Sequence, residues 1–284
     1  MLQQTGSVSL FWRRYRKNWL GILGLILLVT VISATVAAPS LAPSDPNVQN
    51  RALSRQTPSS EFLLGTDQYG RDILSRILYG GRSAFFVAGM STILGLVVGT
   101  VIGTISGYYG GIVDEALMRC MDLLLSFPFL LLALAIVTAL GPGLRNAAIA
   151  IGVGFIPRYA RLTRSSTLSL KSEDFVEAAR ASGASTARIL FRYIAPNYAS
   201  ELIVYSTLSM ASALLMEAAL SFLGLGVQPP TSSWGEMIRT GREFLRTSPH
   251  MSLFPGLAIM WAVVGLNLTG EAVRDALDPK MHRS

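Results

Sequence analysis

The sequence predicts an all-α integral membrane protein with six transmembrane helices. Hydrophobic residues make up 51% of its 284 positions and only 14% are charged, whereas soluble domains carry about 25% charged residues. Several apolar runs approach 20 residues, the length at which an α-helix crosses roughly 30 Å of hydrocarbon. Lysines and arginines lie beside these runs, so the net charge of +7 indicates membrane flanks and excludes nucleic acid as a partner.

The first predicted transmembrane helix covers residues 19–38, which contain no charged side chain and follow the basic segment 13–17. A cleaved signal peptide is the alternative, but its apolar core is usually about 7–15 residues long. The length therefore favours a retained helix behind a cytoplasmic N-terminus of residues 1–18.

Five further apolar segments follow an extracytoplasmic loop of residues 39–83. They form a five-helix core over residues 84–270, which is followed by a cytoplasmic C-terminus of residues 271–284. The predicted helices of this core are 84–107, 122–140, 147–159, 201–225 and 252–270.

The orientation follows from the excess of Lys and Arg in cytoplasmic flanks. With the N-terminus inside, the inner segments hold fifteen of these residues, Arg158 among them, and the outer segments hold nine. This bias places both termini and the loop of residues 161–198 in the cytoplasm.

A stripe of glycines marks the second predicted helix. These residues recur every fourth position, so they lie on one side of the helix and let a second helix approach closely. The contact is either a moving one or a static one, and both interpretations require a packed bundle. The stripe consists of Gly95, Gly99, Gly103 and Gly107.

The residue types needed for catalysis or metal binding are scarce. Cys120 is the only cysteine, and His250 and His282 are the only histidines, so neither an intrachain disulfide nor a histidine-rich metal site nor a Ser-His-Asp triad is expected. None of the three lysines follows a glycine, which excludes a Walker-type phosphate loop. We expect no cofactor on this chain, and ATP-driven transport would need an ATPase on another chain.

The loop of residues 161–198 contains a short helix with a start and a stop. Ser172 is the predicted N-cap, and Gly183 ends the helix or turns the chain. A second short helix is predicted over residues 185–194. One face of the first helix is small and apolar, and it suits a groove on another protein better than a membrane surface, which favours bulkier residues. That face consists of Phe175, Ala178, Ala179 and Ser182.

The stretch EAARASGASTARILFRYIAPN, residues 177–197, resembles the cytoplasmic EAA loop of inner-membrane permease subunits in binding-protein-dependent ABC importers. The pattern is EAA, three residues, Gly and an apolar-x-apolar-Pro end, and Ala195 stands where leucine is common. The matching residues are Glu177, Ala178, Ala179, Gly183, Ile194 and Pro196.

Nearly the whole chain, from residue 13 to residue 279, is similar to the dipeptide, oligopeptide and nickel branch of these permeases, and in particular to the second permease of its pair. Ser232 departs from that pattern, in which proline is usual. The segments that carry the resemblance are LGTDQYGRDILSRILYGGRSA, PRYARLTRSSTLSLKSEDFVEAARASGAS, EAALSFLGLGVQPPTSSWGEM and RDALDP.

This resemblance implies a type I importer permease with a MetI-like core and a cytoplasmic coupling helix. Its implied partners are a second homologous permease, two cytoplasmic ATPase subunits that bind ATP and Mg²⁺, and an extracytoplasmic solute-binding protein. Closure of the ATPases would move the EAA helix, and rigid helices would carry the motion to the substrate path. Di- or oligopeptides are the first substrate class; nickel complexes, glutathione-like peptides and oligosaccharides stay open.

Two carboxylates lie inside predicted membrane helices, where a charge costs about 2.5–3.5 kcal/mol at mid-bilayer. Glu217 is interpreted as a tie between helices, with a place on the translocation path as the alternative. Asp122 is interpreted as a helix-start carboxylate at the membrane interface, and the path is again the alternative.

The extracytoplasmic segments have weaker signals. Residues 39–60 are predicted to be a linker and residues 63–83 an amphipathic segment with an Asp72–Arg76 ion pair. That segment either contacts the binding protein or partner permease, or it is a solvated helix at the membrane edge. Trp234 is predicted to be a membrane-interface anchor.

Two other functions compete with that of a permease subunit. A secondary transporter driven by an ion gradient would need more intramembrane ionisable groups or paired broken helices. A membrane enzyme would need clustered catalytic side chains, which the sequence does not contain.

Overall fold

The computed structural model describes residues 11–277, which are largely α-helical. Residues 1–10 and 278–284, parts of the predicted cytoplasmic termini, lie outside the described residues. The helices are α1 (Trp19–Val36), α2 (Ala38–Leu41), α3 (Ile73–Tyr109), α4 (Gly111–Leu125), α5 (Phe129–Leu140), α6 (Leu144–Leu170), α7 (Asp174–Ala181), α8 (Thr186–Arg188), α9 (Ala195–Phe222), α10 (Trp234–Gly241) and α11 (His250–Leu277), with a π-helical segment (Ile189–Ile194) between α8 and α9.

Four helical stretches are long and apolar enough to cross a membrane. These are α1, α3, α11 and the continuous stretch Thr186–Phe222 that ends in α9, and the bent pair α4–α5 makes a fifth candidate. The predicted fourth helix lies inside α6, which has 27 residues but carries Arg158, Arg161 and Arg164. Within residues 11–277, length and hydropathy therefore identify four or five spans, and the count of six stays a prediction.

The glycine contacts show how α3 and α6 are oriented. Gly95 of α3 lies against Phe155 of α6, and Gly107, twelve residues later, lies against Thr167. Residue numbers therefore increase in the same direction along both helices, so α3 and α6 are parallel. The intervening α4–α5 segment must therefore return the chain to the end of the bundle where α3 began.

The other long helices alternate in direction. Tyr198, near the start of α9, shares a hydrogen bond of 2.8 Å with Thr104, near the end of α3. Gly21, at the start of α1, lies against Ala272, near the end of α11. The bundle thus has two ends. We call the end that carries residues 39–72 and α10 the capped end, and the end that carries α7 and α8 the loop end.

The predicted third helix, residues 122–140, is broken. It consists of the last residues of α4 and all of α5, and the two helices meet at 91°. Pro128 has a non-helical backbone, with φ −53° and ψ 133°, and precedes α5. Because proline has no backbone N–H and disfavours helical geometry in the preceding residue, the chain turns at this point.

The helix begins before the predicted boundary between the first loop and the second transmembrane helix. α3 begins at Ile73, so residues 73–83 continue directly into the long helix and do not form a separate segment. The predicted linker folds back on residues 66–69 through backbone hydrogen bonds, among them Arg55 N to Asp67 O at 2.9 Å and Thr66 N to Gln56 O at 3.0 Å.

A central core joins α3, α5, α6, α9 and α11. Among its buried members are Val87, Phe155, Leu214 and Leu266. A separate small cluster at the loop end joins residues 11–15 to α11, where the Tyr15 hydroxyl donates to the carbonyl of Gly21 at 2.9 Å. Burial raises the pKa of this phenol, so Tyr15 remains a neutral donor.

Candidate coupling site and helix contacts

Helix α7 is the centre of the predicted coupling loop. It is eight residues long and carries Asp174 and Glu177 in its first turn and Arg180 in its last, each of which complements the helix dipole. The predicted Ser172 cap is wrong, because its hydroxyl donates to Ser169 O at 3.0 Å and Glu173 precedes the helix with an extended backbone and no side-chain cap.

Gly183 ends this helix with a left-handed backbone, at φ +76°. The N–H of Gly183 donates to Arg180 O at 3.0 Å and that of Ala184 donates to Ala179 O at 3.1 Å. This is the Schellman arrangement, in which glycine avoids the steric penalty of a side chain. The prediction that Gly183 turns the chain is confirmed by this geometry.

The second predicted helix does not stand alone. Its first part is the short α8. The Ser185 hydroxyl caps this helix by accepting a hydrogen bond from the backbone N–H of Arg188. Its remainder is the π-helical segment, which runs directly into α9, with Pro196 near the start of α9. Because Pro196 has no N–H to donate, a wider turn before it accommodates the ring. Since α6 continues to Leu170, the loop between the long helices is residues 171–194.

A buried cluster connects this loop to the helix bundle. Val176, Ile189, Ile194 and Tyr198 form it, all of them 3% exposed or less. Two hydrogen bonds link the same region to the end of α3: the Tyr198–Thr104 bond described above and Lys171 Nζ to the carbonyl of Gly107 at 3.0 Å. The loop is therefore attached to α3 and α9 together.

The six motif residues divide between this cluster and the surface. Ala179 and Ile194 are buried, whereas Glu177, Ala178, Gly183 and Pro196 are exposed. Phe175 and Ser182 are exposed beside Ala178, so three of the four predicted face residues are open and Ala179 lies beneath them. Phe191 adds a large apolar side chain that is 79% exposed.

The glycine stripe of α3 lies against α6 along its whole length. A Cβ built at Gly99 would lie 2.5 Å from Tyr159 Cβ, and one at Gly103 would collide with the Ala160 carbonyl and the Thr163 hydroxyl. A Cβ built at Gly95 or at Gly107 would also collide with atoms of α6. Gly89 has no atom within 4 Å of a built Cβ, which agrees with its place off the stripe.

Asp122 lies inside α4 and not at a helix start. Its carboxylate accepts from the Arg161 guanidinium of α6 at 2.7 Å, and both side chains are about half exposed. A second ion pair joins Asp114 of α4 to Arg164 of α6 at 2.5 Å. These two pairs hold α4 against α6 on the loop-end side of the bend.

Glu217 lies near the capped end of α9 and is 1% exposed. One of its carboxylate oxygens accepts hydrogen bonds from the hydroxyls of Ser221 and Ser233, each at 2.8 Å. Ser233 immediately precedes α10, so the carboxylate connects α9 to the segment that leads into α10.

A buried ionic cluster at the capped end was not anticipated. Arg76 at the start of α3 pairs with Glu236 of α10 at 3.2 Å, and Asp67 pairs with Arg71 at 2.6 Å and lies 3.7 Å from Arg76. The predicted Asp72–Arg76 pair is wrong, because Asp72 is the N-cap of α3 and accepts from the Ser75 N–H at 2.7 Å.

Trp234 is an interior residue and not an interface anchor. It is 2% exposed, its indole N–H donates to Ile77 O at 2.9 Å, and its ring lies against Gly80 and Gly81 of α3. The prediction for Trp234 rested on the general preference of aromatic residues for membrane interfaces. It was wrong because α10 folds back onto the bundle and buries the ring.

Known proteins resemble this chain over nearly its full length. Residues 99–283 match the family described as Binding-protein-dependent transport system inner membrane component, and residues 8–58 match the N-terminal TM domain of oligopeptide transport permease C. The dipeptide transport system permease protein DppC of Alkalihalophilus pseudofirmus is 44% identical, over 95% of this chain and 89% of the relative.

Two other relatives carry related names. The di/tripeptide transport system permease protein DppC of Pseudomonas aeruginosa is 41% identical, over 95% of this chain and 91% of its own. The glutathione transport system permease protein GsiD of Escherichia coli O157:H7 is also 41% identical, over 95% of this chain and 90% of its own.

The fold has a counterpart among solved structures. A chain of the MetNI methionine ABC transporter in an inward-facing conformation superposes with a TM-score of 0.57, at 19% identity, over 71% of this chain and 96% of that one. This likeness extends to the fold alone. From its family match and its close relatives, the chain belongs to the inner-membrane permease components of binding-protein-dependent ABC transport systems.

Proposed function

We propose that this permease imports di- or oligopeptides as one half of a heterodimeric translocation path. The relatives named above support the substrate class, because their names specify dipeptides, di- and tripeptides, and glutathione, all of which are peptides. The remaining subunits in this proposal are a second homologous permease, two cytoplasmic ATP-binding subunits and an extracytoplasmic solute-binding protein. ATP and Mg²⁺ bind to the ATPase subunits, and this chain binds no cofactor.

The observation that carries the proposal is the construction of the coupling loop. Helix α7 presents a small exposed face around Ala178, while Val176 and Ala179 beneath it are buried. Such a face suits a groove on a partner protein. Glu177 is exposed on the same helix and is placed to pair with a basic or hydrogen-bonding group of the ATPase.

Motion of α7 has a direct route into the bundle. Lys171 of the loop and Tyr198 at the start of α9 are both hydrogen-bonded to α3, and the glycine stripe packs α3 closely against α6. Closure of the ATPase pair would therefore move α3, α6 and α9 as a body. This is alternating access driven by the binding energy of a partner.

In the proposed orientation the loop end, both termini and α7 are cytoplasmic, and the capped end is extracytoplasmic. Six crossings are required, with α4–α5 as the third and α6 as the fourth. The alternating directions of the long helices support this count, because each neighbour in sequence returns the chain to the opposite end.

The first experiment is purification of the tagged chain from its native host in mild detergent, followed by mass spectrometry. A second permease and ATPases with Walker motifs are expected among the bound proteins. A lone chain or a pure homo-oligomer, retained in several detergents, would contradict the proposal and favour the secondary transporter.

Substitution of Gly183 tests the coupling site itself. Gly183→Glu should leave the chain in the membrane but release the ATPases, because it places a charged side chain on a left-handed backbone in the docking surface. Gly183→Asn is the matched control, since asparagine tolerates this conformation. The readout is retention of ATPase subunits together with peptide uptake; normal values for Gly183→Glu would refute the assignment of the loop.

A further inference from the structure

Helix α6 has an open face that is polar. Every residue from 146 to 157 is buried or half-buried, and beyond them the exposed positions recur every three or four residues, which puts them on one side of the helix. Within α6, all of which the structure describes, no large apolar side chain is exposed. The exposed positions on this face are Arg158, Arg161, Ser165 and Ser169.

This composition indicates what the face contacts. Helix α1 exposes Ile26, Val29 and Val36, as expected of a helix in contact with lipid. Charged side chains are costly in hydrocarbon and are found where they face protein or a water-filled cavity. The open face of α6 therefore lies toward the interior of the assembled transporter.

Arg158 lies level with the central part of the apolar segment 84–107 of α3. Its neighbour Tyr159 lies against Gly95 and Gly99 of α3, which are the central positions of the apolar segment 84–107. The Tyr159 hydroxyl donates to Ser206 of α9 at 3.0 Å, so this level is also fixed relative to α9.

Arg158 differs from the two arginines that follow it at intervals of three. Arg161 and Arg164 form the ion pairs with α4 described above, whereas no carboxylate within residues 11–277 lies within 4.0 Å of Arg158. Its guanidinium lies 5.6 Å from the ring centroid of Phe129, and Tyr205 packs edge-on against the neighbouring Tyr159, with ring centroids 4.8 Å apart.

We propose that Arg158 and Tyr205 form a transient binding site for the carboxylate of the solute as it passes the middle of the permease. A guanidinium has a fork of donors that matches a carboxylate, and a phenol can add a further donor. Every unmodified peptide carries such a group at its C-terminus. This site rests on the proposed peptide-import function and adds a specificity-determining contact to it.

The test compares a peptide with its C-terminal amide, chosen so that the wild-type complex imports both. Uptake is measured in proteoliposomes that contain both permeases and the ATPases, with the binding protein outside. Because the same binding protein serves every variant, the ratio of mutant to wild-type uptake isolates the permease step. We expect Arg158→Gln to lower uptake of the acid by roughly tenfold, the loss typical of one charge-assisted contact, and uptake of the amide by less than about twofold.

Arg145→Gln is the matched control, because Arg145 is an exposed arginine at the capped end of the same helix. It should leave both uptakes unchanged. Equal losses for acid and amide in Arg158→Gln, or loss of the second permease on purification, would overturn the proposal and assign Arg158 to the subunit interface. Failure of the wild-type complex to import any peptide would instead refute the proposed function.

Thiol labelling gives a second readout that does not depend on an amide substrate. In a Cys120→Ser background, Arg158→Cys should react with a small water-soluble methanethiosulfonate reagent in the assembled complex, and saturating peptide acid should slow the reaction. A cysteine that stays unreactive with and without ATP would show that the position does not face water, which overturns the site.

Discussion

At the capped end, buried carboxylates and arginines connect the shorter segments to the long helices. Glu217 is the clearest case, because one oxygen accepts from two serine hydroxyls and one of those serines precedes α10. Removal of a charged acceptor from such a site leaves hydroxyls with a weaker partner, at a cost of about 1–3 kcal/mol per unsatisfied group.

Glu217→Gln, expressed at the normal level, is therefore expected to impair transport or its coupling to ATP. The neutral amide accepts more weakly than the carboxylate, and its NH₂ group enters a site with no exposure to water. Peptide uptake and substrate-stimulated ATPase activity of the complex are the measurements. Glu115→Gln, at a side chain that is 71% exposed, is the control, and wild-type values for Glu217→Gln would refute the expectation.

The Arg76–Glu236 pair predicts a second residue-level effect. Either Arg76→Gln or Glu236→Gln leaves its partner poorly compensated in a buried site, which costs about 3–5 kcal/mol. The double change Arg76→Met with Glu236→Leu removes both charges and should be less destabilising than either single change. Thermal unfolding of the purified complex measures this, with exposed Arg51→Gln as the control. A double variant less stable than both singles would contradict it.

Among the helices, the glycine stripe sets a close contact between α3 and α6. α3 and α6 meet along three turns with backbone-to-side-chain distances that leave no room for a Cβ. Close approach of this kind is how membrane helices associate without a hydrophobic driving force. The contact also fixes the register of α6, and with it the level of Arg158 along α3.

Gly103→Val should therefore strongly lower the stability of the protein in detergent, whereas Gly89→Val should have little effect. Both substitutions place the same β-branched residue in the same helix, so their helix propensities cancel and only the contact with α6 differs. Heat-induced loss of the monodisperse peak in size-exclusion chromatography measures the difference. Equal stability of the two variants would argue against a tight α3–α6 contact.

For the whole molecule, the alternating helix directions separate the two ends of the bundle. Ser59 at the capped end and Ser182 at the loop end are both exposed. In a Cys120→Ser background, Ser59→Cys should react with a membrane-impermeant maleimide on intact spheroplasts, and Ser182→Cys only after permeabilisation. The opposite pattern would reverse the proposed orientation.

Much of this architecture could be predicted from periodic or conformational signals. The glycine stripe repeats every four residues. Gly183 follows a short helix whose first turn is acidic, and glycine at this place is a common signal for a helix end. The predicted Asp72–Arg76 ion pair was wrong because the Asp72 carboxylate caps the N-terminus of α3 instead. The bend at Pro128 had a local signal in its proline, but the apolar run on both sides suggested one straight helix.

The remaining features depend on contacts that are distant in the sequence. Arg76 and Glu236 are separated by 160 positions, and nothing local distinguishes them from exposed charges. The sequence alone assigns Arg158 to a basic cytoplasmic flank, because Arg161 and Arg164 follow it closely. The contact of Tyr159 with Gly95 and Gly99 places this arginine level with the central part of the apolar segment 84–107.

The arginines of α6 also bear on how the chain enters the bilayer during synthesis. A translocon sorts segments by their free energy of partitioning, and each arginine near the centre of a helix adds about 2.5–3.5 kcal/mol against release into lipid. α6 is thus a poor insertion signal by itself. We expect it to integrate only once α3 is in the membrane to receive it, so the glycine stripe serves biogenesis before it serves transport.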